Sequence, residues 1–310
     1  MRLPSRPRRT RGDRARRVPT RAPAPFIVGV SSSGTTSLRL ALDAHPELVI
    51  PPETHFVPEL IETCRTGGAG PEEVLRLLAG EPHWPLFCLD PAAVRARLPA
   101  SGRVKPRVAL RAFYGAYAEA RGRPRWGDET PGYLHGMRQI AAALPEARFV
   151  HVIRDVRDVA LSMIQAGQIR PDAVDSAASH WARQVGRARV DAARVDHCLE
   201  ILYEDLALEP EPTLHRVAEF LELSWDPGVP DALRRTLDAS RPAAPPTAPG
   251  ARPALAEPPG RWRSQMSSDD RVACEAVAGD LLAELGYEIG APPRLDGLLQ
   301  GGVTNPGRDG

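Results

Sequence analysis

One stretch near the amino terminus constrains the fold more than any other, and it reads FIVGVSSSGTTS from Phe26 to Ser37. The apolar run Phe26–Val30 predicts a buried strand, and the pattern from about Thr35 to His45-Pro46 predicts an amphipathic helix. The loop between them is rich in small and hydroxyl-bearing residues. In such a unit the free N–H groups of the loop and of the first helical turn converge, and the helix dipole adds partial positive charge there. The stretch therefore predicts an anion site whose candidate residues are Ser31, Ser32, Ser33, Gly34, Thr35, Thr36 and Ser37.

This loop is open to three other interpretations. The spacing of Gly29 and Gly34 matches the first half of a nucleoside-triphosphate phosphate loop, but Thr35 stands where that loop has its lysine. The missing lysine argues against an ordinary ATPase or kinase. A hydrolase elbow requires Gly-x-Ser-x-Gly, and Ser33 occupies the place of the second glycine. A tight turn without any ligand is the third alternative.

Composition narrows the class of protein. A chain of 310 residues with 42% hydrophobic and 25% charged residues is typical of a soluble globular protein with a core. The formal net charge of +1 gives no reason to expect a nucleic-acid partner. Cys64, Cys88, Cys198 and Cys274 have neither metal-site nor redox-motif spacing, so we expect reduced thiols in a cytoplasmic protein without a metal.

The ends of the chain differ from its middle. Residues 1–24 are rich in arginine and proline and nearly free of apolar side chains, which predicts a disordered basic arm. The arm lacks the apolar core of a secretory signal, and we expect no membrane span. Residues 239–259 are rich in proline and alanine, which predicts a mobile loop, and a frayed tail is expected over 291–310.

Two acid–base candidates follow the second predicted strand, Leu48–Ile50. Glu53 and His55 come directly after it, where open α/β sheets place their ligands. Glu53 can serve as a general base, and His55 as a second acid–base group. Each can equally be an ordinary polar residue of a surface loop.

A third candidate lies farther along, where the β-rich run Arg148–Arg154 predicts a buried parallel strand. Asp155 then caps a predicted helix that contains Ser162. The Arg154 guanidinium and the Ser162 hydroxyl can hold a second anion. The alternative is a structural ion pair between Arg154 and Asp155 or Asp158.

Together these segments resemble the sulfotransferase family, in its bacterial type, which uses 3′-phosphoadenosine 5′-phosphosulfate (PAPS) as donor. The resemblance extends from Phe26 to about Tyr287. Phe26–Thr36 resembles the family's 5′-phosphosulfate loop, and Arg154 to Ser162 resembles its 3′-phosphate motif. Further similar segments are Trp126–Tyr133, Leu202–Leu206 with the helix after it, and Gly260–Arg263. Their shared order and spacing make the resemblance specific.

The resemblance implies a fold, a donor and a set of roles. The fold is a single α/β domain over residues 25–290, three-layered, with a central parallel sheet flanked by helices as in P-loop proteins. The loop residues would bind the 5′-phosphosulfate, and Glu53, or else His55, would deprotonate a hydroxyl or amine of a small-molecule or glycan acceptor. The remaining donor contacts implied by the resemblance are Arg154, Ser162, Tyr203, Arg261, Trp262 and Arg263.

Two positions depart from the family's pattern. Ser32 stands at the usual basic position of the first loop, and Glu129 replaces the lysine of Gly-Asp-Lys-Thr-Pro. Arg39 or Arg111 is a candidate replacement for the missing charge. The alternative function is a catalytically impaired, nucleotide-binding homologue with a binding or regulatory role.

Overall fold

A computed structural model describes residues 21–170, 172–239 and 257–290. The predicted basic arm lies outside these residues over 1–20, the predicted mobile loop over 240–256, and the predicted tail over 291–310. The proposed domain limits therefore stay predictions.

The described chain contains six strands, all in parallel pairings. They are β1 (Ala24–Gly29), β2 (Leu48–Val49), β3 (Arg125–Trp126), β4 (Asp128–Glu129), β5 (Ala147–Ile153) and β6 (Cys198–Leu202). Four of them form the central sheet in the order β4-β1-β5-β6, while β2 and β3 form a separate pair. All six residues of β1 are buried, which explains its continuous apolar run. Because the strands are parallel, their carboxyl ends meet at one edge.

Helices make up the rest of the regular structure between and after these strands. They are α1 (Thr35–Asp43), α2 (Val57–Glu62), α3 (Pro71–Ala79), α4 (Pro91–Arg95), α5 (Pro106–Ala120), α6 (Met137–Ala143), α7 (Val156–Gln165), α8 (Val174–Ala192), α9 (Tyr203–Leu208), α10 (Pro210–Phe220), α11 (Gly228–Ala239), α12 (Trp262–Gln265) and α13 (Ser268–Glu284). A π-helical turn covers Thr63–Gly67, and 3-10 turns cover Trp84–Phe87 and Pro131–His135.

Alternate residues of β1 divide the core into two layers. Phe26 and Val28 pack in a cluster with side chains of α2, α5, α8 and α13. Ile27 faces the other way, into a cluster with side chains of α1, α10 and α11. The sheet thus has helices on both faces, which confirms the predicted three-layer α/β fold.

Two short segments acquire their pairing from the fold. The predicted strand Leu48–Ile50 was confirmed over Leu48–Val49 as β2, and in the described sheets it pairs with β3 and not with the central sheet. Asp128–Glu129, within the segment Trp126–Tyr133, forms β4 and pairs with β1. A strand of two residues is too short to show an alternating pattern in the sequence. Its pairing therefore depends on the neighbouring strands that the fold supplies.

The predicted cap of the helix that contains Ser162 was confirmed. The Asp155 carboxylate caps α7 by accepting from the Arg157 N–H at 2.9 Å. The Ser267 hydroxyl caps α13 by accepting from the Asp270 N–H at 3.1 Å. Phe87, Phe113 and their aromatic neighbours pack as core.

Candidate functional site

The predicted anion loop joins β1 to α1 at the carboxyl edge of the sheet. Within the described part of the chain, the N–H groups of Gly34, Thr35 and Thr36 donate to no acceptor. Gly34, the residue before α1, has φ +88°, and an added Cβ would lie 2.3 Å from the Tyr203 ring. Only glycine therefore fits here. Along the loop Ser31 is exposed, Ser32, Gly34 and Thr36 are half-buried, and Ser33, Thr35 and Ser37 are buried.

Arg154, at the end of β5, lies against this loop. Its Nη1 donates to the Ser32 carbonyl at 3.1 Å and to the Ser162 Oγ at 3.4 Å. The guanidinium carbon lies 4.6 Å from the centre of the Tyr203 ring. The fold therefore brings Arg154, Ser162, Tyr203 and the loop together.

The two acids that were alternative partners of Arg154 bind other groups. Asp155 forms a 2.7 Å ion pair with Arg157. Asp158 accepts from the N–H groups of Gly260 and Trp262 at 2.5 and 2.9 Å. Among the described residues neither acid forms an ion pair with Arg154, so that alternative was wrong.

The three predicted donor contacts within Gly260–Arg263 lie in different surroundings. Arg261 donates to the Ser162 Oγ at 3.2 Å. Trp262 is buried, 3.6 Å from the guanidinium carbon of Arg157. Arg263 is directed away and pairs with Glu288 at 2.9 Å. Only Arg261 lies beside Arg154 and Ser162.

Glu257 occupies the space between these basic and hydroxyl groups. Its carboxylate accepts from the Ser162 Oγ at 2.7 Å and forms an ion pair with Arg261. Its carbonyl accepts from the Tyr203 hydroxyl at 2.8 Å and from Arg154 at 3.4 Å. A phosphate bound to Ser162 and Arg261 would have to displace this carboxylate. Sequence reasoning missed Glu257, because it ends a stretch without periodicity.

Glu53 and His55 follow β2 on the same edge. The Glu53 Oε2 lies 3.2 Å from the His55 Nε2, and the side chains are 41% and 43% exposed. Both groups can therefore meet a ligand from solvent.

Thr54, between those two residues, is tied to the segment before α6. Its Oγ1 donates to Asp128 Oδ2 at 2.8 Å and lies 2.7 Å from the Tyr133 hydroxyl. Its N–H donates to Thr130 Oγ1 at 3.0 Å, and Tyr114 also donates to Asp128 at 2.8 Å. Burial raises the pKa of Asp128 to about 6, although the hydrogen bonds from Thr54 and Tyr114 oppose the rise. This network fixes the backbone between Glu53 and His55, and nothing in the sequence pattern distinguishes Thr54.

Glu129 is 1% exposed, and Arg39 is its ion-pair partner, with 3.3 Å between Nε and Oε2. Its carboxylate also lies against the Thr35 hydroxyl, and burial raises its pKa to about 8. Arg111, the other candidate for the missing charge, instead pairs with Glu146. Of the two arginines, only Arg39 lies at the loop.

Buried polar atoms without a hydrogen-bond partner concentrate at this edge. Buried polar groups are normally paired, so unpaired ones that cluster indicate a ligand. Those here are Ser33 Oγ, Arg39 Nε, Asp128 Oδ1, Glu129 Oε1, Arg154 Nε and Arg261 Nε. A separate cleft of about 750 Å³, lined by Arg189, Glu200 and Glu284 among others, includes none of the predicted site residues.

The described residues contain neither a metal-ligand cluster nor a membrane-spanning helix. No group of three or more histidine, cysteine or acidic residues is arranged to hold a metal ion within the described ranges. No helix described by the structure has the length and apolar character needed to cross a membrane.

A comparison with protein families decides the class of this chain, because the model of a sulfotransferase family matches residues 23–227. The chain belongs to the sulfotransferase family. It is 27% identical over 215 residues to protein-tyrosine sulfotransferase 1 of Danio rerio, covering 67% of this chain and 55% of that protein. It is 27% identical over 220 residues to protein-tyrosine sulfotransferase 2 of Gallus gallus, covering 66% and 52%. The chain thus spans about half the length of these relatives.

Solved structures agree on the fold of this chain. The sulfotransferase domain of the Synechococcus PCC 7002 olefin synthase superimposes with a TM-score of 0.53 at 24% identity, over 86% of this chain and 96% of that chain. The sulfotransferase domain of the curacin biosynthetic pathway gives 0.52 at 17% identity, over 87% and 100%. The fold is the P-loop-like sulfotransferase fold.

Proposed function

We propose that this protein transfers a sulfuryl group from PAPS to a hydroxyl or amine of an acceptor. The observation that carries the proposal is the cluster of unpartnered donors at the carboxyl edge of the sheet. The cluster joins a backbone anion loop after β1 to a guanidinium–hydroxyl site after β5. Two such anion sites suit a donor that carries phosphates at both its 3′ and its 5′ position.

The chain's own residues fit this donor. The free N–H groups of the loop, with the hydroxyls of Ser33, Thr35 and Thr36, would bind the 5′-phosphosulfate. Arg154, Ser162 and Arg261 would bind the 3′-phosphate, since guanidinium groups match phosphate geometry. The unpaired Ser33 Oγ, Arg154 Nε and Arg261 Nε support that assignment.

Glu53 is proposed as the general base. PAPS supplies the activated sulfuryl group, and Glu53 would accept the acceptor's proton. His55, 3.2 Å away, would stabilise the Glu53 carboxylate or replace it as base. The Thr54 network holds both residues at this edge.

The acceptor class rests on two suggestions. The sequence suggested a small molecule or glycan. The curated relatives are named protein-tyrosine sulfotransferases, which adds the phenol of a tyrosyl residue. Those relatives come from animals, so a bacterial type is a proposal of its own. A cytoplasmic location is also proposed, and the four unpaired cysteines support it.

The test is sulfate transfer from labelled PAPS to a panel of phenols, hydroxylated metabolites, glycans and tyrosyl peptides. We expect label on one acceptor class, and much slower labelling with Glu53→Gln. Tight binding of adenosine 3′,5′-bisphosphate without transfer to any acceptor would favour the nucleotide-binding alternative. Stronger binding of ATP with magnesium would contradict the donor assignment.

A further inference from the structure

Two arginine–glutamate pairs of this protein differ in completeness. Arg111 donates to both oxygens of Glu146 at 2.7 Å. Burial alone would raise the pKa of Glu146, but the hydrogen bonds and positive charge of Arg111, together with a backbone hydrogen bond, lower it. Arg39 meets Glu129 at a single long distance of 3.3 Å. The Arg39 Nε and the Glu129 Oε1 have no hydrogen-bond partner among the described residues. Each side chain of the second pair therefore has an atom that can form a further hydrogen bond.

The incomplete pair lies at the base of the anion loop. Glu129 is opposite Ile27 in the register of β4 with β1, directly before the loop. Arg39 follows Thr35 by four residues on α1, and helical side chains lean toward the helix amino terminus. The Glu129 carboxylate contacts both residues. An anion bound at the loop would therefore lie close to a carboxyl and a guanidinium that are incompletely bonded to each other.

The charges around Glu129 oppose its ionisation. The charged or titratable groups that face it are Arg39 on α1, Glu53 after β2, and Asp128 on β4 itself. Burial and the two acids favour the neutral carboxyl, whereas the hydrogen bond to the Thr35 hydroxyl and, among the charged groups, Arg39 alone favour the carboxylate. A further anion at the loop acts in the same direction as the acids.

We propose that Glu129 takes up a proton from solvent when the anionic donor binds, and that this frees the Arg39 guanidinium to pair with the donor. This inference rests on the proposed function. It also accounts for the departure at this position, because neutral Glu129 leaves a net positive charge beside the loop. Arg39 would then supply the cation that Ser32 lacks.

Linkage gives the direction of the pH effect. Protonated Glu129 favours the donor and is abundant below the pKa of about 8 in the free protein. Donor affinity should therefore fall as pH rises through that value. By reciprocity, donor binding raises the pKa of Glu129 and draws in a proton. At pH 8 the uptake should be about half a proton, and near pH 6.5 close to none.

The experiment is titration calorimetry with adenosine 3′,5′-bisphosphate, in Tris and in Hepes, at pH 6.5 and pH 8. The dependence of the observed enthalpy on the buffer's ionisation enthalpy measures the protons taken up. At pH 8 the ligand's phosphates are already ionised, since their second pKa lies near 6. We expect uptake at pH 8 in the parent, none in Glu129→Gln, and unchanged uptake in the matched control Glu146→Gln.

The outcomes separate this inference from the proposed function. Failure of the parent to bind the bisphosphate at either pH would overturn the donor assignment and this inference with it. Binding without proton uptake at pH 8 would overturn this inference alone, and the parent suffices for that result if Glu129→Gln does not fold. Equal uptake in a folded Glu129→Gln would assign the proton to another group and would also overturn the inference.

Discussion

The two ends of the candidate donor site are built in opposite ways. The 5′ end consists of a backbone loop with small side chains, and carboxyl groups lie behind it. The 3′ end consists of arginine and hydroxyl side chains, and the chain's own Glu257 lies between them. An anion is therefore opposed by a carboxyl at each end. The first carboxyl can be neutralised by protonation, whereas the second has to be displaced.

The largest expected effect is on the rate of transfer, with nucleotide binding at both ends of the site unchanged. Glu53→Gln should lower the rate of transfer about 100- to 10,000-fold, the usual contribution of general acid–base catalysis. Affinity for adenosine 3′,5′-bisphosphate should stay within about twofold, because Glu53 bonds to neither end. Single-turnover rates with labelled PAPS measure the first quantity, and calorimetry the second. Glu59→Gln, an exposed acid on α2, is the control, and an equally slow control would remove Glu53 from its proposed role.

The next effect tests whether the 3′ end is a distinct site. Arg154→Gln should weaken adenosine 3′,5′-bisphosphate by about 10- to 100-fold, since a hydrogen bond to a charged group contributes about 1.5–3 kcal/mol. Adenosine 5′-phosphate should bind the parent and Arg154→Gln with equal affinity. Arg263→Gln, which loses the exposed pair with Glu288 and the contact with the Trp262 ring, should change neither affinity. Equal weakening of both ligands by Arg154→Gln would mean that Arg154 supports the loop through the Ser32 carbonyl instead.

The sequence predicted those parts of the site that follow from long, regular elements. The loop before α1 and Arg154 at the end of β5 could be located, because a buried strand followed by a helix has a clear pattern. Asp155 as the cap of α7 follows from the same local chemistry.

The parts that the sequence did not predict depend on contacts between distant segments. Thr54 and Asp128 are 74 positions apart, and Ser162 and Glu257 are 95 apart. Arg39 and Arg111 were both candidates for the missing charge, and only the register of β4 on β1 shows that Arg39 is the one beside Glu129. Such contacts leave no periodic signal in a single sequence.

A moderate effect tests the displacement at the 3′ end. Glu257→Gln should tighten adenosine 3′,5′-bisphosphate by about 3- to 10-fold, because a neutral amide competes less well for Arg261 than a carboxylate does. Adenosine 5′-phosphate should be unaffected. Glu288→Gln, which removes a carboxylate from exposed Arg263, is the matched control. If Glu257→Gln weakens the bisphosphate, Glu257 supports the nucleotide site instead of competing for it.

The smallest effect tests whether the Ser32 side chain takes part in donor binding at the 5′ end. Ser32 has φ +67°, a conformation that costs an L-residue roughly 1–2 kcal/mol. Ser32→Gly removes that cost but adds freedom to the unfolded chain, which offsets roughly 0.5–1 kcal/mol. The free energy of unfolding should therefore rise by about 0.5–1 kcal/mol, measured by urea denaturation. Ser31→Gly makes the same change in the same loop without positive φ, so it should lower that free energy. Affinity for adenosine 3′,5′-bisphosphate should stay unchanged in Ser32→Gly, because the Ser32 hydroxyl is not among the proposed donor contacts. A loss of affinity would show that the Ser32 hydroxyl binds the donor, and the two ends would then differ less than their geometry indicates.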